Sequence, residues 1–170
     1  KPKSFVCKGE RGTHPFDLDA YRGTGKVPTP LWDFGPDPTR HCSYSYNMPY
    51  GPRKLTVSSE PAFALAADHN PWIDGPAWKA SDFTAFSPSG TAKEQHAGNA
   101  VAHAMDGQNV MFLDTHVDFQ KRSYCGLDED NIYTSWNGQD KTRGSPPRLG
   151  SVPADARDSL LVNDPVDGSK

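Results

Sequence analysis

The sequence predicts an α+β domain that is mostly β, an antiparallel sheet carrying long decorated loops. Three observations predict it. The chain has 15 glycines and 16 prolines among 170 residues and is only 35% hydrophobic, which supplies many chain reversals and little material for long helices. Its clearest apolar runs are short, and several alternate with a period of two, the repeat of a half-buried strand. No internal repeat or heptad interrupts that pattern. The length suits one domain with a real core, and 11% aromatic residues can anchor loops onto it.

Taken in order, residues 1–40 read as a loop-rich segment packed on the domain. "GTGKVPTPLWDFGPDPTRHC" is dense in proline and turn residues, with Leu31, Trp32 and Phe34 as anchors. "CSYSYNMPYG" places Tyr44 and Tyr46 on one face and ends at a Pro-Tyr-Gly-Pro turn, so it reads as a strand. In "PAFALAADHNPW" a short apolar run stops at Asp68-His69-Asn70-Pro71, which favours a buried strand over a helix despite the alanines. Residues 73–100 form a long polar segment, pinned by Trp78, Phe83 and Phe86.

"QNVMFLD" and "HVDFQK" form the clearest strand pair, with Asp114-Thr115 as a two-residue turn and Asp106-Gly107 as a stronger turn signal upstream. "DNIYTSW" is a further strand candidate. The β-rich domain thus spans 41–136. Residues 137–170 form an extended tail, in which only 158–164, "DSLLVND", can pair as an edge strand.

Bulk properties exclude some functions. The net charge is −3, and the only basic runs are the pairs Arg53-Lys54 and Lys121-Arg122, so nothing would track a nucleic-acid backbone. No window approaches the roughly twenty apolar residues of a membrane span. The start at Lys1-Pro2-Lys3 reads as a mature or trimmed fragment, without the apolar core of a signal peptide. Cys7, Cys42 and Cys125 form no Cys-x-x-Cys and allow one disulfide plus a free thiol; a cysteine-built zinc site is not expected at such separations.

Three constellations could carry chemistry. Asp68, His69, His103, Asp114 and His116 offer imidazole and carboxylate ligands. They could converge at one end of the sheet if the strands ending at Asp68 and Asp114 were neighbours, with His96 in the intervening loop. Such a site would suit metal-assisted hydrolysis. The alternative is that these residues satisfy one another and their own turns. Asp128 and Asp130, in an oxygen-rich loop that is not an EF-hand, are candidate calcium ligands, although such a charge run is more often a solvated turn. Trp72 and Trp78 could form a carbohydrate-binding face, or anchor their loop. Nucleophilic catalysis lacks a G-x-S-x-G, and His41-Cys42 would point apart on a strand.

"GNAVAHAMDGQNVMFLDTHVDF" resembles the signature of the prepilin-type H-X9-DG domain. The correspondence covers His103, Gly107, Gln108, Asn109, Val110, Phe112, Asp114, His116, Val117 and Phe119. "CSYSYNMPYG", "ALAADHNPW", "CGLDEDNIYTSW" and "DSLLVND" are similar to further segments of that family, in the same order. The resemblance implies a pseudopilin-like globular domain held outside the membrane in a type II secretion or type IV pilus-like system. It implies an N-terminal leader and anchoring helix upstream, and as partners other pseudopilin or secretion subunits, or itself in a filament. It requires no cofactor, though calcium in a C-terminal loop occurs among related proteins. The implied role is structural and non-enzymatic; a metal-dependent hydrolase and a carbohydrate-binding module are the alternatives. Two departures stand out: Thr115 replaces the signature glycine, and ten residues separate His103 from Asp114. Because threonine is strained at positive φ, this turn is expected to differ from the family's tight one.

Overall fold

A computed structural model of the chain describes residues 1–21, 34, 37–48, 53–56, 58–136, 140–148 and 150–163. Leu31 and Trp32, the Pro-Tyr-Gly-Pro turn and Asp164 lie outside them. The fold is mostly β, one open sheet of five antiparallel strands in the order β4-β3-β2-β1-β5. The strands are β1 (Tyr44–Asn47), β2 (Ala64–Asp68), β3 (Gln108–Phe112), β4 (Val117–Gln120) and β5 (Leu161–Val162). β5 pairs with β1, Tyr46 opposite Val162, and so forms the edge expected from "DSLLVND". Among the described residues no helix is long and apolar enough to cross a membrane.

The period of two sorts the strands into two faces. In β3, Gln108, Val110 and Phe112 are buried, while Asn109 and Met111 are only half-buried on the other side. Beneath the first face, Val110 and Phe112 join Trp72, Phe86, Ile132, Tyr133 and Leu161 in the core. The long loop therefore works as the second layer of the domain. Trp72 packs edge-on to Phe83, with ring centroids 5.0 Å apart, and lies 5.4 Å from Phe86.

That loop also contains a short helix, α1 (Ala92–His96), which the composition hides but its first turn announces. The Thr91 hydroxyl accepts from Glu94 N–H, and Thr91 N–H donates to the Glu94 carboxylate at 2.6 Å. This is the reciprocal Thr-x-x-Glu cap.

"DNIYTSW" is not a strand. Residues 132–134 form a buried turn, and only Ser135 makes an isolated bridge, to Ser145. The Asn131 side chain decides this: its Oδ1 accepts from Tyr133 N–H, while Thr134 N–H donates back to the Asn131 carbonyl. Asparagine competing for its own backbone closes a turn where the apolar alternation suggested extension. The cysteines also differ from expectation. All three are thiols; Cys42, just before β1, donates its Sγ–H to Tyr44 O, and burial pushes the Cys125 thiol up to about 12.

The β3–β4 hairpin closes with three residues, Leu113-Asp114-Thr115, rather than two. Phe112 N–H donates to His116 O at 3.0 Å, and Thr115 N–H donates to Phe112 O at 2.9 Å. Thr115 itself takes the left-handed conformation, φ 73°. A three-residue hairpin needs such a residue at its third position and prefers glycine there; a β-branched residue is strained by about 1–2 kcal/mol. Thr115→Gly is therefore expected to raise stability by about 1 kcal/mol after the glycine's greater unfolded-state entropy is subtracted. Equilibrium urea unfolding checks this, and a lowered midpoint would contradict it.

Candidate functional site

β2 ends in a carboxylate with no access to solvent. Asp68 is fully buried, and its Oδ2 accepts from Asn109 N–H at 2.7 Å and from Asn109 Nδ2 at 3.1 Å. The antiparallel pairing of β2 with β3 makes the two residues neighbours. His103 arrives from the opposite side, at the end of a single 3-10 turn, Val101–His103. Two successive left-handed residues, Ala104 (φ 54°) and Met105 (φ 63°), then swing the chain into β3. His103 Nε2 lies 3.1 Å from Asp68 Oδ2 and 3.1 Å from Asn109 Nδ2. The Phe119 ring stands edge-on to the imidazole at 5.7 Å.

Cys7 completes the cluster, its Sγ 3.7 Å from the same His103 Nε2. Cys7 begins a turn closed by Glu10 N–H donating to Cys7 O. Gly9 inside that turn lets the segment approach: a Cβ there would lie 2.8 Å from Ala102 O and 3.4 Å from the His103 ring. The turn straddles the end of β2. Cys7 reaches Asp68 and His103, while the Glu10 carboxylate approaches His69 Nδ1 at 3.0 Å without hydrogen-bond alignment, both side chains being buried. Thr13 donates its hydroxyl to Glu10, and the Trp78 ring lies 5.5 Å from His69.

Burial raises the Asp68 carboxyl above its ordinary pKa, opposed by the Asn109 amides and by His103. Burial likewise raises the Cys7 thiol, and Asp68 adds to that shift. Cys7 and Asp68 address the same imidazole nitrogen. A nucleophile–histidine–carboxylate relay needs them on opposite nitrogens, and a raised thiol is a poor nucleophile.

The structure splits the proposed five-residue cluster. Asp68 and His103 meet, whereas His69 turns to Glu10. Asp114 and His116 sit at the opposite end of the sheet, because the strand leaving Asn109 runs antiparallel to the one arriving at Asp68. Asp114 N–H donates to Pro61 O, before β2 begins. There His116 Nδ1 pairs with Asp114 Oδ1 at 2.5 Å, half-exposed, and its ring stacks on Phe112. His96 merely closes α1. The calcium pair separates too. Asp128 faces outward to Lys141 and Arg157, while Asp130 turns inward to accept Ser159 N–H. Burial, with Asp158 and Asp155 nearby, raises the Asp130 carboxyl to about 8. Trp72, only 6% exposed, is core and offers no face to a sugar; Trp78, its indole nitrogen buried, packs on His69. Sequence reasoning missed Cys7 and Glu10, which no local spacing ties to residues some sixty and more positions away.

A groove of 640 Å³ adjoins this cluster on the sheet face turned away from the core. Phe5, Tyr44, Tyr46, Ala66, Met111 and Val117 line it, with Asn109 at the polar end. Cross-strand register builds its floor: Tyr46 faces Ala66, Ala66 faces Met111, and Met111 faces Val117. Val117 is 62% exposed, Phe119 43% and Phe5 43%.

Comparison with protein-family models, with curated proteins and with solved structures finds no match to this chain.

Proposed function

We propose that this chain is the extracytoplasmic assembly domain of a pseudopilin-like protein, non-enzymatic, working in a type II secretion or type IV pilus-like system. The apolar sheet face, exposed among the described residues, carries the reading. A sheet with one face on a core can leave its other face to water if that face is polar. Here the second face is aromatic and aliphatic across four strands, and apolar patches of this kind mark a docking surface. The occupant that fits is one apolar helix, supplied N-terminal to Lys1 in the longer protein, because Ser4 and Phe5 already form the groove's margin. The signature residues of the H-X9-DG resemblance build this surface: Asn109, Val117 and Phe119 stand on the open face, and Val110 and Phe112 secure the other. Partners would be other pseudopilin subunits or further copies of the same protein.

The test uses the full-length protein in its native membrane, after the coding sequence upstream of Lys1 is read for a prepilin peptidase site and apolar helix. A photo-crosslinking residue at Val117 or Met111 is expected to label that helix, and Val117→Asp to abolish incorporation into assemblies while leaving the domain's melting temperature unchanged. Labelling of Val117 by water alone, or normal assembly of Val117→Asp, would overturn the reading.

A further inference from the structure

We propose that Cys7, Asp68 and His103 form a binding site for a single zinc ion, which fastens the N-terminal segment to the end of β2. The ligand atoms of these three side chains all lie within 4.8 Å of one another. Thiolate, imidazole and carboxylate together are a zinc donor set. Ordinary zinc bond lengths at tetrahedral angles require nitrogen–oxygen and nitrogen–sulfur separations of about 3.3 and about 3.6 Å. The structure has 3.1 Å between His103 Nε2 and Asp68 Oδ2 and 3.7 Å between His103 Nε2 and Cys7 Sγ.

A second observation concerns the other oxygen of the same carboxylate. Asp68 Oδ1 is buried with no hydrogen-bond partner, on a side chain with no exposure. An orphaned carboxylate oxygen in such a place calls for a cation or a donor. His103 Nε2 is moreover overcommitted. If it carries a proton, that proton suits Asp68 and collides with the Asn109 amide; if it does not, its lone pair suits Asn109 and opposes Asp68. A zinc ion among the three ligands takes the Nε2 lone pair and faces the carboxylate, so the imidazole needs no proton there and Asn109 Nδ2 keeps its bond to Asp68 Oδ2. On binding, the Cys7 sulfur–hydrogen bond is replaced by a sulfur–zinc bond and the proton leaves to solvent; no electrons transfer. Cys7 and His103 are only half-buried, which gives the ion a route from solvent; water would be the fourth ligand. This site stands independently of the filament reading, since it joins residues 7, 68 and 103 whatever occupies the groove.

The experiment takes the chain as it exists, stripped with chelator and titrated with Zn²⁺ and, as a spectroscopic probe, Co²⁺. One equivalent is expected to bind, Co²⁺ giving a thiolate charge-transfer band and the intense visible bands of four-coordination. Cys7→Ser should abolish the charge-transfer band, and Cys7→Ser and His103→Gln should each weaken Zn²⁺ binding at least tenfold; His116→Gln should change neither. Far-ultraviolet circular dichroism of the metal-free variants separates lost ligation from lost folding. In the wild-type chain, equimolar Zn²⁺ should slow iodoacetamide alkylation of Cys7 at least tenfold, a readout that needs no variant. Absence of stoichiometric binding, or unchanged Cys7 alkylation with metal bound, would overturn the proposal.

Discussion

Replacing Asn70 by alanine is expected to lower stability by about 3–4 kcal/mol, because three buried hydrogen bonds depend on that one amide. Its Nδ2 donates to Tyr133 O at 2.8 Å and to Leu161 O at 2.9 Å, and its Oδ1 accepts from Trp72 N–H at 2.9 Å. It thereby joins the exit of β2, the 132–134 turn and β5, which share few backbone bonds. Alanine would leave two carbonyls and one amide buried without partners. Asn70→Asp should be no better: it keeps the acceptor for Trp72, but it loses both donors and buries a charge facing two carbonyl oxygens. Urea unfolding reads the effect as a midpoint lowered by roughly 2 M at an unchanged slope. A midpoint within about 0.3 M of the wild type would show that the turn and β5 hold without the amide.

Trp72→Ala is expected to cost about 3–5 kcal/mol, as large-to-small changes at buried aromatic positions do. The indole fills the space between Phe83, Phe86 and Tyr133, so its removal opens a cavity under β3 that rigid neighbouring rings cannot close. Trp72→Phe should recover more than half of the loss, since packing matters more here than the indole nitrogen, which is buried without a partner. The near-ultraviolet circular dichroism should weaken at temperatures where far-ultraviolet signal persists. A carbohydrate-binding surface predicts the reverse, a stable variant with impaired glycan binding, and that outcome would require the indole to reach solvent.

The sheet was legible because a period of two survives in "YSYN", "QNVMF" and "HVDF", although of these three only β3 buries its apolar positions. The hairpin was legible as well, but the length of its turn was not, since Thr115 shows no preference for the left-handed conformation it adopts. "DNIYTSW" misled because alternation cannot see the Asn131 side chain bending the backbone it belongs to. The candidate site was half legible. Asp68 and His103 stood out as chemistry, yet their grouping with Asp114 and His116 failed on strand direction, which depends on pairing and not on local pattern. Cys7 and Glu10 were invisible, because a turn with no partner in sequence acquires its role only when Gly9 lets it close over residues 68 and 69.

Among the described residues, Asn70 is one of four buried side-chain amides that grip main chain across the fold. Asn99 donates to Met105 O and Lys121 O, Gln108 to Gln120 O and Arg122 O, and Asn131 to Thr142 O. Every one of these bonds ends on a peptide carbonyl, an atom that all twenty residues carry. Side chains such as Met105, Lys121 and Arg122 can consequently be exchanged without the grip noticing. The loops of this domain are thus free to diverge in what they display, while four short polar side chains keep their paths the same.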